Sequence, residues 1–74
     1  MKGLTDLAVA DLSEAIRLNP KSASAYNNRG LAYRKMGDLG NAIEDYSRAV
    51  EINPIYALAY ANRGHAHEAK GAKD

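Results

Sequence analysis

Arg29 and Arg63 each follow an aspartate, Asp11 and Asp45, by the same interval along the chain. A guanidinium and a carboxylate so placed can form an ion pair that fixes the register of two stacked elements. Alternatively, the arginine can turn outward and bind an anionic ligand. The register pair is the expected role, and Arg29 has a second choice in Asp45. His65 and His67 raise a metal reading. On a helix, however, residues two apart point about 200° away from each other, whereas chelation from one helix wants a spacing of four. Glu44 and Asp45 are adjacent and diverge in the same way, so they make no acid–base pair. No glycine-rich phosphate loop, nucleophile turn or HExxH motif is present. The expectation is no enzyme, no cofactor and no metal. Asn28 and Asn62 are of another kind, because a carboxamide offers both a donor and an acceptor and can hold a peptide backbone without reading its sequence.

The chain that must position these groups has 74 residues and no cysteine, so neither a disulfide nor a cysteine-bound zinc staples it. It stands near the lower size limit of a single core, and one domain over residues 1–74 is expected. With 46% hydrophobic and 26% charged residues it is balanced for folding rather than for disorder. A net charge of +1 is far from the concentrated basic surface that phosphate binding needs, so no nucleic-acid partner is expected. Acids interrupt the opening MKGLTDLAVADLSEAI, which excludes a signal-peptide core there. No apolar run approaches the roughly 20 residues of a membrane span. A soluble, cytoplasmic chain is the expectation.

The stretch AYNNRG at Ala25–Gly30 returns as AYANRG at Ala59–Gly64. Sliding the chain against itself by that interval, 34 residues, also pairs Ala8 with Ala42, Asp11 with Asp45, Ser13 with Ser47, Ala15 with Ala49 and Asn19–Pro20 with Asn53–Pro54. Within one period Tyr26, Gly30 and Tyr33 recur at helical spacing, as do Ala42, Tyr46 and Ala49. Gly37 followed by Asp38 reads as a glycine stop and a new cap, Ser22 as another cap, and Pro20 and Pro54 as breaks. Four helices follow, near 5–18, 23–36, 39–52 and 57–70, with no strand. Glycine inside a helix costs about 1 kcal/mol relative to alanine. Gly30 and Gly64 are therefore expected where two backbones approach closely, small residue against small residue, with Tyr26, Tyr33 and Tyr46 filling the space around the crossing.

Period and pattern together resemble the tetratricopeptide repeat, a helix–turn–helix unit. Tyr26, Gly30, Tyr33, Ala42, Tyr46 and Pro54 stand at its aromatic, glycine, tyrosine, alanine, aromatic and proline positions. Arg29 and Arg63 depart from it at a leucine position, and His67 at a tyrosine. The resemblance implies an all-α, right-handed solenoid of antiparallel helical hairpins, phased as half a repeat, one full repeat and half a repeat. It also implies a concave groove lined by Ser24, Asn27, Asn28, Leu31, Arg34 and Lys35 from one helix and by Leu58, Ala61, Asn62, His65 and Glu68 from the other. The carboxylate clamp of chaperone-binding members is not expected, since Asn27 and Leu31 stand where it wants lysine and asparagine.

In this phase both end helices leave a face uncovered, Ala8, Leu12 and Ala15 on the first and Tyr60, Gly64 and His67 on the last. These are the two faces that meet within an ordinary repeat. Head-to-tail contact or helix exchange between chains would join them; an excised piece of a longer array is the alternative. The leading functional expectation is a non-catalytic module for a protein or peptide partner, and the second is a self-assembling homo-oligomer. RNA binding, as in the related pentatricopeptide plan, is disfavoured by the period of 34 and the charge.

Overall fold

The computed structural model describes residues 3–73, which form four helices: α1 Leu4–Leu18, α2 Ala23–Lys35, α3 Leu39–Ile52 and α4 Ala57–Lys73. Local chemistry sets each boundary. The Ser22 hydroxyl accepts the Ala25 N–H at 3.2 Å and opens α2, and the Asp38 carboxylate accepts the Asn41 N–H at 3.3 Å and opens α3. Between them the chain turns through a Schellman motif. Asp38 N–H donates to the Tyr33 carbonyl and Gly37 N–H to the Arg34 carbonyl, both at 2.9 Å, with Gly37 at φ +83°. That left-handed φ is why position 37 needs glycine. The other two connections are near-copies of each other. Asn19 and Asn53 end their helices, and their side-chain oxygens accept the N–H of Lys21 and Ile55 across Pro20 and Pro54.

The helices pack only on near neighbours: α1 on α2, α2 on α3, α3 on α4, with a narrow contact of α2 on α4. A slab of 37 × 36 × 14 Å results. Its core lies along α3, where Ala42, Tyr46 and Ala49 have no exposed surface. Leu39, Ala42, Tyr46 and Ala66 form one cluster, against which Leu31 and Tyr33 pack. Ala49, Val50 and Ala59 form another, with Tyr26 and Tyr56 against it. By contrast α1 buries only Ile16 and leaves Leu4 86% and Leu18 70% exposed.

The crossing of α2 with α3 differs from the sequence expectation. Gly30 does not face a small residue; it lies under the Tyr46 ring. A Cβ at position 30 would stand 2.6 Å from Tyr46 Cε1 and 2.8 Å from Cδ1. The helix omits a side chain so that a tyrosine, not an alanine, can enter. Gly64 has no such neighbour, since a Cβ there would meet nothing within 4 Å.

Candidate interaction surfaces

Arg29 is the electrostatic centre of the α2–α3 seam. Its Nε donates to Asp45 Oδ2 at 2.7 Å and its Nη2 to Asp45 Oδ1 at 2.8 Å, a bidentate fork. Nη1 reaches back to the Ser13 hydroxyl on α1 at 3.1 Å, so one guanidinium ties three helices. The rings of Tyr26 and Tyr33 flank it, with centroids 5.6 and 5.8 Å from the guanidinium carbon. Asp45 is 1% exposed and takes a further bond from Arg48 Nη1 at 3.0 Å. The hydrogen bond to Asp45 raises the Arg29 pKa still further above neutral.

This corrects the expected register pairs. Arg29 takes Asp45, 16 residues ahead, rather than Asp11, which is exposed. Arg63 does not reach Asp45; its Nη1 bonds the Ser47 hydroxyl at 3.3 Å, as Arg29 bonds Ser13, and it lies over the Tyr60 ring at 5.4 Å. Among the described residues no carboxylate pairs with it. Both serines recur with the repeat, which was the one available signal of their role.

Of the expected groove residues, Ser24, Asn28 and Lys35 on α2 are exposed, Leu31 and Arg34 are half-buried, and Leu58, Ala61, His65 and Glu68 on α4 are exposed. Asn27 and Asn62 are not on a surface. They are 1% and 8% exposed, and Asn62 Nδ2 donates to Asn27 Oδ1 at 3.0 Å, a bond that joins α2 to α4. An amide so engaged holds helices together instead of gripping a peptide. Beside Asn28 a cavity of about 310 Å³ opens between α1 and α2, lined by Leu4, Thr5, Ala8, Asn28, Leu31, Ala32 and Lys35. Leu4, Thr5 and Ala32 were not among the expected residues.

A family model of the tetratricopeptide repeat matches residues 23–56, and a second, of the TPR repeat, matches residues 2–37. The chain belongs to the tetratricopeptide repeat family. Among solved structures it is similar to a crystal structure of MamA, at 40% identity and a TM-score of 0.88, over 90% of this chain and 39% of that one. The chain thus spans well under half the length of the MamA chain it matches. No curated protein matches it.

Tetratricopeptide repeats generally mediate protein–protein interaction, and the family is typically non-catalytic. In this member the two histidines are both exposed, and His65 Nδ1 lies 3.6 Å from Glu68 Oε1. His67 lies with Tyr60 and Gly64 on the side of α4 that nothing among the described residues covers. No cluster of three metal-ligating side chains occurs among the described residues, and none of their helices is long and apolar enough to cross a membrane.

Proposed function

We propose that this tetratricopeptide repeat chain is a non-catalytic binding module that takes an apolar side chain of a protein or peptide partner between α1 and α2. The cavity of about 310 Å³ carries this reading. Its lining combines the apolar Leu4, Ala8, Leu31 and Ala32 with the polar Thr5, Asn28 and Lys35. Such a mixture of apolar wall and few polar groups suits recognition rather than bond-making. With Asn27 and Asn62 committed to each other, the adaptable groups of the inner face are Ser24, Asn28 and Lys35 on α2 and Ala61, His65 and Glu68 on α4.

Selection from a displayed library of peptides against the immobilised chain tests this. Peptides should be enriched whose binding falls at least tenfold in a Lys35→Glu or Asn28→Ala variant of unchanged melting temperature. If nothing is enriched, or the enriched peptides bind both variants like the parent, the reading is wrong.

A further inference from the structure

The cavity has a filled counterpart in the same molecule. Moving one repeat along carries Thr5, Ala8, Asn28 and Ala32 onto Leu39, Ala42, Asn62 and Ala66. In that second place those residues are closed off, 9%, 0%, 8% and 0% exposed, because α2 lies across them. Leu31 packs on the cluster and Asn27 bonds Asn62. The space between α1 and α2 therefore has the form of a seat for a helix like α2.

Among the described residues there is one other helix of that kind. The α4 helix repeats α2 at Ala59, Tyr60, Asn62, Arg63, Gly64 and Ala66. Its outward face is uncovered: Tyr60 is 42% exposed and Gly64 faces open space. On α2, the equivalent face carries the Tyr46 ring over Gly30 and the Asp45 carboxylate on Arg29. Arg63 has Ser47 but no carboxylate among the described residues, while Asp11, the counterpart of Asp45, is exposed on α1.

We propose that copies of this chain stack head to tail, the α4 helix of one copy seated on α1 and α2 of the next as α2 sits on α3 and α4 within a chain. This rests on the reading of the chain as an interaction module and names its partner. Arg63 of one copy forks onto Asp11 of the next copy, and the Leu12 side chain of that copy lies over Gly64. The junction is weaker than the internal seam it copies. Leu12 replaces the larger Tyr46, Ala61 gives Asn28 no amide where Asn27 serves Asn62, and His65 enters where Leu31 does. Association is accordingly reversible and open-ended, since a head-to-tail contact that does not close continues.

Light scattering on the 74-residue chain, up to about 1 mM, tests it together with reciprocal charge reversal at Asp11 and Arg63. The average mass should rise above 8.0 kDa with concentration and show no plateau at a dimer. Asp11→Arg alone, or Arg63→Asp alone, should weaken association at least tenfold with helicity unchanged. Mixing the two variants in equal amounts should restore it, and so should the double variant, which still reports should one single variant fail to fold. A mass of 8.0 kDa at every concentration overturns the proposal, as does association indifferent to the single reversals. A monomer that still enriches cavity-directed peptides removes only the second copy as partner; a monomer that enriches none removes the binding reading as well.

Discussion

The same phrase, tyrosine, two residues, arginine, glycine, is written on α2 and on α4, and the two copies live in different surroundings. On α2 the glycine lies beneath a fully buried tyrosine ring and the arginine is locked by a carboxylate and a serine. On α4 the glycine faces nothing within 4 Å and the arginine bonds the serine with no carboxylate beside it among the described residues. The same tyrosine and glycine thus stand at a packed seam in one place and on an open face in the other. A helix takes its shape from its own sequence; what its side chains do depends on the helix laid against them.

The largest consequence of that contrast concerns the glycines. Gly30→Leu has to displace a buried ring and should cost about 3 kcal/mol, or roughly 12–24 °C of melting temperature. Gly64→Ala, measured at dilution, should instead stabilise by up to about 1 kcal/mol, because only helix propensity acts there. Equal effects at the two sites would dissolve the comparison. The acids come next. Asp45→Ala leaves a largely buried guanidinium without its carboxylate and should cost about 2 kcal/mol in denaturant unfolding. Asp11→Ala in the dilute chain should stay within about 0.5 kcal/mol.

A smaller effect than that of Asp45 belongs to Tyr46 itself, whose buried hydroxyl finds no hydrogen-bond partner among the described residues. Tyr46→Phe removes the desolvated group together with its unmade bond, so stability at neutral pH should hold or rise by up to about 1 kcal/mol. Burial also pushes the Tyr46 phenol above its ordinary pKa of 10.0. The folded chain then keeps that proton more tightly than the unfolded one. Its contribution is complete below the unfolded value and is lost as pH rises through the folded value. Unfolding of the Phe variant followed above pH 10 should accordingly lose less stability than the parent; an identical alkaline limb would mean that the Tyr46 phenol holds its proton equally well in the folded and the unfolded chain.

The helices were legible because their signals are local. Gly37, Asp38, Ser22 and the two Asn-Pro pairs act on backbone within a few residues, and the period of 34 states the hairpin plan outright. The pairings were not, because Arg29 stands 16 residues from both Ser13 and Asp45 and 18 from Asp11, and all three lie on neighbouring helices. Which one a long side chain takes depends on how the hairpin closes. Asn27 and Asn62 misled for a related reason. The family resemblance placed them on the groove, whereas their burial is decided by how closely α4 approaches α2.

Because each helix meets only near neighbours, and α1 meets α2 alone among the described residues, the molecule is close to one-dimensional. Its native contacts join segments near in sequence, which favours rapid folding. Loss of α1 need not disturb α3 or α4. The structure should therefore open from its flanks inward, and the amides shared by α2 and α3, under the Tyr46 ring and around the Arg29–Asp45 fork, should be the last to exchange with solvent.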